Sequence, residues 1–76
     1  MFDIYGEVHS PGSYKIQRDM TVRQALAQGG GITARGTERR IELHRRDADG
    51  KPAVHKPKLD DAVQADDVLQ IREGFF

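Results

Sequence analysis

The sequence contains no cysteine, only three prolines, and no apolar run of membrane-spanning length. The lack of cysteine excludes disulfides and thiolate sites. It leaves the compartment open, because a cysteine-free secreted domain and a cytosolic one look alike in this respect. A spanning helix needs about 20 consecutive apolar residues, and none is present. No targeting segment precedes the first strand pattern, which starts almost at once, so the expectation is a domain cut from a longer protein. Aromatics make up 7% of the chain, and Phe2, Tyr5, Tyr14, Phe75 and Phe76 are not interleaved with basic residues. With a formal net charge of zero, nucleic acid is a poorly supported partner.

What is present fits one small domain over residues 1–76, with 37% hydrophobic and 32% charged residues. A core of this size typically supplies only about 3–5 kcal/mol, so a partner or neighbouring copies would add usefully to it. The zero net charge hides an asymmetry. Residues 35–58 carry eight Lys/Arg against four Asp/Glu, whereas residues 59–76 carry Arg72 against Asp60, Asp61, Asp66, Asp67 and Glu73.

One stretch reads as a helix. Thr21 is a suitable N-cap and Gln24, three residues on, completes a capping box. Val22, Ala25, Leu26 and Gly29 then fall at i, i+3, i+4 and i+7. The run Gly29-Gly30-Gly31 ends it, with C′ expected at Gly29 or Gly30. Because this run follows the helix, it is not a phosphate cradle, which needs the positive end. So short a helix cannot stand alone and needs a sheet to lie on.

The rest reads as strand and turn. Phe2, Ile4, Gly6 and Val8 alternate with polar neighbours, and Tyr14 and Ile16 do so over residues 13–17, giving a hairpin. Ser10-Pro11-Gly12-Ser13 places Pro and Gly as a type II turn requires. Ile41 and Leu43 mark a third strand, residues 52–56 an edge strand tolerant of Pro52, and residues 68–72 a last one. A four-residue loop between the third and fourth strands would set Leu43 opposite Val54 and leave Glu42, His44, Ala53 and His55 on the outer face. Residues 59–65 form a connector with room for one helical turn. The order of elements predicts an α+β fold of the β-grasp type, a mixed sheet of about five strands with one short helix across it, its first and last strands adjacent and parallel.

Little of this carries chemistry. His44 and His55 are two imidazoles without a third ligand, so no metal site is expected. The Asp pairs point apart along the chain, and no Ser or Thr has a base at recognisable spacing, so no catalytic residue is assigned and no cofactor is implied. Arg35, Arg39 and Arg40, with Arg45 and Arg46 beyond them, are the best candidates for contacting an anion, such as an acidic glycan or an acidic protein neighbour.

The order of short motifs is more specific than any one of them. Tyr5-Gly6-Glu7-Val8, Pro11-Gly12-Ser13-Tyr14, Met20-Thr21-Val22 with Ala25-Leu26, Gly30-Gly31-Ile32-Thr33, Ile41-x-Leu43-x-Arg45-Arg46 and Asp67-Val68-Leu69-x-Ile71 together resemble the SLBB (soluble ligand-binding β-grasp) domain of bacterial polysaccharide export proteins. The resemblance implies a noncatalytic domain of a periplasmic or outer-membrane export protein for capsular or exopolysaccharide. It would bind glycan, or pack with neighbouring copies and export-machinery proteins in a ring around the translocation path. SLBB-like domains also resemble parts of competence proteins and respiratory dehydrogenases, which keeps a protein-interaction module as the alternative. Read onto this chain, Gly6 permits close backbone approach, Pro11 and Gly12 make the turn, Thr21 caps the helix, and Gly30 and Gly31 end it. Two departures stand out. Gly29 occupies a position where the family usually has Ala, which is expected to shorten the helix, and the lipoprotein cysteine and export-specific domain of full-length members are missing.

Overall fold

Alternating burial organises the chain from its first residues. Phe2 and Ile4 are buried and Tyr5 exposed in β1 (Phe2–Gly6), which pairs antiparallel with β2 (Gly12–Tyr14). In the computed structural model residues 1–74 are described; Phe75 and Phe76 lie outside the described residues. A single helix, α1 (Val22–Gln28), follows, then β3 (Gly36–Arg46), β4 (Pro52–His55) and β5 (Val68–Glu73). The five strands form one mixed sheet in the order β2-β1-β5-β3-β4. β1 and β5 are adjacent and parallel, and every other pairing is antiparallel. This is the α+β arrangement expected, with the last strand inserted at the centre.

The helix is built as its sequence dictates. Thr21 Oγ1 accepts from the Gln24 N–H at 3.3 Å, and Gln24 Oε1 accepts from the Thr21 N–H at 3.0 Å. The amides of Val22 and Arg23 donate to the carbonyls of Asp61 and Leu59, so the connector to β5 satisfies donors that a helix start leaves open. At the other end Gly29 is the C-cap. Gly30 and Gly31 follow with positive φ, their N–H groups donating to Ala27 and Leu26 in the Schellman pattern. A Cβ at Gly29 would lie 3.2 Å from Ile4 Cδ1, so an alanine there would press the helix end onto β1. Val22, Ala25 and Leu26 join Phe2, Ile4, Ile41, Leu43, Leu69 and Ile71 in one core on one face of the sheet.

Three expectations are corrected. The β1–β2 connection is not a type II turn at Pro11-Gly12. Gly12 has φ 150° and already pairs with Ile4 inside β2, and the loop is longer. Its backbone turns toward the helix exit instead. His9 and Ser10 donate to the carbonyls of Gly31 and Gly29, and Glu7 accepts from the Thr33 N–H. As a result β2 is the three residues 12–14 rather than 13–17, with the Tyr14 ring stacked on Phe2.

The β3–β4 register is shifted by one residue. Leu43 lies opposite His55, and His44 opposite Val54. The cause is the turn. Asp47 N–H donates to the Lys51 carbonyl, Asp47 Oδ1 accepts from the amides of Asp49 and Lys51, and Gly50 takes φ 77°. These bonds enclose three residues rather than four. Val54 is thereby turned outward, 59% exposed, and Ala53 and His55 leave the face that holds Glu42 and His44. Finally, residues 59–65 contain no helical turn. Lys58 and Asp61 close a tight turn, and Ala62 bridges Thr21.

Gly6 does what its position requires. At φ 94°, a Cβ would stand 2.1 Å from the Ile71 carbonyl oxygen of the parallel neighbour. No helix among the described residues is long and apolar enough to cross a membrane.

Candidate functional site

Two clefts flank the paired strands β3 and β5. The larger, about 710 Å³, opens where β3 ends and β5 begins, among His44, Arg46, Pro52 and Asp66. Its wall is an ion pair. Along the core face, the row Ile41, Leu43 continues to Arg45 and the row Ile71, Leu69 continues to Asp67. Arg45 Nε and its terminal nitrogen donate to the two Asp67 oxygens at 2.9 and 2.7 Å. Asp67 is 1% exposed and also accepts from the Gln64 N–H at 2.7 Å. The hydrogen bond to Asp67 raises the Arg45 pKa, against the opposing effect of burial, so the guanidinium stays charged. With Arg45 engaged in this way, the cleft has little charge of one sign left to attract a ligand. Its chemistry is that of a structural tie between two strands.

The smaller cleft, about 270 Å³, lies at the opposite end of the same strands. Gly36 pairs with Glu73 and Ile41 with Ile71, so residues 37–40 of β3 stand opposite Arg72 alone. This wide bulge is held by the Arg39 N–H donating to Thr37 Oγ1 and by the Gly74 N–H donating to the Arg35 carbonyl. It breaks the strict alternation of β3, and the consecutive residues Arg39 and Arg40 line one cleft together with Arg72, Lys56 and Glu42. Among the described residues, four cations and one carboxylate thus line this cleft. Arg72 Nε lies 3.0 Å from Glu42 Oε2, and His44 Nε2 lies 3.4 Å from Glu42 Oε1. The hydrogen bond from Arg72 is the main cause of the lowered Glu42 pKa, and the same bond raises that of Arg72.

Of the three arginines singled out in the sequence, Arg39 and Arg40 are brought together here. Arg35 is exposed on the loop before β3 and does not line the cleft. Arg72 and Lys56 were missed. Arg72 lies outside the basic run and is brought to it by the bulge and the β3–β5 pairing, whereas Lys56 lies within the run and is carried toward Glu42 by the β3–β4 register. From the sequence Asp67 is only one of the aspartate pairs that point apart along the chain, with no partner assigned to it. The signal for its pairing was available, since Arg45 lies two residues beyond Leu43 and Asp67 two residues before Leu69. His44 and His55 point to opposite faces, and among the described residues no three His, Asp or Glu side chains group to hold a metal ion.

The family profile of the SLBB domain matches residues 1–55. The chain belongs to the SLBB domain family. SLBB domains are noncatalytic ligand-binding domains found in polysaccharide export proteins, including periplasmic ones. The match covers β1 to β4 and ends before β5, so Arg72, Asp67 and the motif Asp67-Val68-Leu69-x-Ile71 lie beyond it. Neither a curated protein nor a solved structure matches the chain.

Proposed function

We propose that this SLBB domain is a noncatalytic part of a capsular or exopolysaccharide export protein, held in the periplasm or at the outer membrane through the full-length chain. It binds glycan or packs against neighbouring copies around the export path, with no cofactor and no chemistry of its own. The observation that carries this reading is the family match over residues 1–55. Arg35, Arg39 and Arg40 are the proposed contact residues, and the cleft adds Arg72 and Lys56 to them. Exposed guanidinium groups attract an anionic polymer through water, so one copy binds weakly and salt reduces the attraction. Several copies in a ring would raise the affinity through effective concentration without a new contact.

The test is an NMR titration of the chain with an acidic oligosaccharide, hexagalacturonate, at low and high ionic strength. Amide shifts are expected around residues 35–40 and 72, with an affinity that falls as salt rises. Shifts confined to residues 60–67, or a response indifferent to salt, would show that the face is wrongly chosen. A protein-interaction module is the second reading, and the exposed edge of β4 with Val54 outward favours it. Upstream sequence separates the two: a lipoprotein signal and export domain supports the first, a DNA-binding or flavin segment the second.

A further inference from the structure

The helix and the connector cover one face of the sheet and leave the other open. On that open face the register aligns Tyr5 of β1, Gln70 of β5 and Glu42 of β3 in one transverse row. Tyr5 is 44% exposed, while Gln70 and Glu42 are half-buried. Three strands at about 4.8 Å spacing make the row about 10 Å long, the span of a short oligosaccharide rather than of one sugar. Arg72, two residues beyond Gln70 on the same face, is oriented by Glu42 through its Nε. The rest of its guanidinium has no further partner among the described residues. Arg72 also lines the bulge cleft with Arg39, Arg40 and Lys56, so the open row runs into that group of cations.

From this we infer that the open face is an extended subsite for an acidic oligosaccharide, resting on the glycan-binding reading above. Tyr5 stacks against the apolar face of a sugar ring. Gln70 and Glu42 bond its hydroxyl groups. Arg72, preorganised by Glu42, takes the carboxylate of the next residue in a two-point bond that a lysine could not supply. Charge complementarity selects the occupant. The face and the adjoining cleft offer Arg39, Arg40, Lys56 and Arg72 against two carboxylates, Glu42 and Asp3, engaged by Arg72 and by the Ser13 hydroxyl, and they combine these cations with an exposed aromatic ring, which a purely electrostatic partner would not need. The site therefore reads both ring and charge. The arginine cluster alone would read charge only.

The experiment uses the chain with two probes, hexagalacturonate and its methyl ester, followed by NMR titration for the parent protein and for Tyr5→Ala, Tyr5→Phe and Arg72→Gln. Tyr5 and Arg72 are exposed, and an unchanged amide spectrum before ligand addition confirms that each variant is folded. For the parent, shifts should reach Tyr5, Gln70 and Glu42 as well as the bulge. Tyr5→Ala should weaken both probes about two- to tenfold and Tyr5→Phe should not, since the ring and not the hydroxyl is used. Arg72→Gln should weaken the acid and leave the ester unchanged.

If the acid binds at the bulge but Tyr5→Ala has no effect, the ring subsite is overturned while the glycan-binding reading stands. If an oligoglutamate peptide binds as tightly and shifts the same row, charge alone is being read and the sugar assignment is overturned. If neither probe shifts any residue at millimolar concentration, both the subsite and the reading beneath it fall.

Discussion

The two faces of the sheet are made by the same strands and serve opposite ends. On the covered face, β1, β3 and β5 contribute Phe2, Ile4, Ile41, Leu43, Leu69 and Ile71, each no more than 4% exposed. On the open face, the alternate residues of the same strands are Asp3, Tyr5, Glu42, His44, Val68, Gln70 and Arg72, none of them buried. The charge pairs follow the same division. Arg45–Asp67 ends the covered rows with Asp67 out of water, whereas Arg72–Glu42 lies in the open row with the Arg72 side chain 57% exposed. A carboxylate removed from water must keep its partner, while an exposed one can exchange it for solvent or ligand. The covered face therefore carries stability, and the open face is free to carry recognition.

The comparison can be broken most severely at Asp67. Asp67→Ala leaves Arg45 at the rim of the core without its carboxylate and should cost about 3–5 kcal/mol in a urea denaturation. A loss below about 1 kcal/mol would mean that water replaces the pair and that the tie between β3 and β5 is not structural.

Leu26→Ala follows, since Leu26 and Leu43 belong to the same buried cluster between helix and sheet. The expected cost is about 2–5 kcal/mol, read from the denaturation midpoint. An unchanged midpoint would refute the packing of the helix on the covered face. Thr21→Ala removes one half of the capping box and should cost about 1 kcal/mol, with amide exchange accelerating first at Gln24.

The open face should respond to pH rather than to truncation. The folded-state pKa of Glu42 is lowered from its ordinary 4.5, chiefly by the hydrogen bond from Arg72. A depressed carboxylate pKa contributes stability that is fully present above the unfolded value and is lost as pH falls through the folded value. The pair should thus persist at and above pH 4.5 and disappear on further acidification. Carbon-detected titration of the Glu42 carboxyl should show the lowered pKa, and in Arg72→Gln it should rise toward 4.5. An identical titration in both proteins would show that the two side chains do not interact in solution.

Much of the covered face was legible because burial imposes a period. Phe2, Ile4, Leu69 and Ile71 announce strands, and Thr21, Gln24 and the glycine run announce both ends of the helix. The open face was less legible, since polar residues in a strand have no period to betray which neighbours they meet. Arg39 and Arg40 were singled out by charge, but their convergence on Arg72 depends on a bulge with no glycine or proline inside it. Val54 was placed on the core because apolar residues usually oppose one another. The hydrogen bonds of Asp47 overruled that preference and turned Val54 into solvent.

The sequence by itself determined the elements that local chemistry can specify: the capped helix, the strand periods, the absence of thiol chemistry and the family to which residues 1–55 belong. Only the tertiary structure decided that β5 also pairs with β3, the exit of the chain from β1 toward the helix, the pairing of Arg45 with Asp67, and the meeting of Tyr5, Gln70, Glu42 and Arg72 on one open face. The reason is the range of the forces involved. Caps and alternation are settled within a few residues of chain, whereas register across a sheet is settled by a turn or a bulge far from the side chains it brings together.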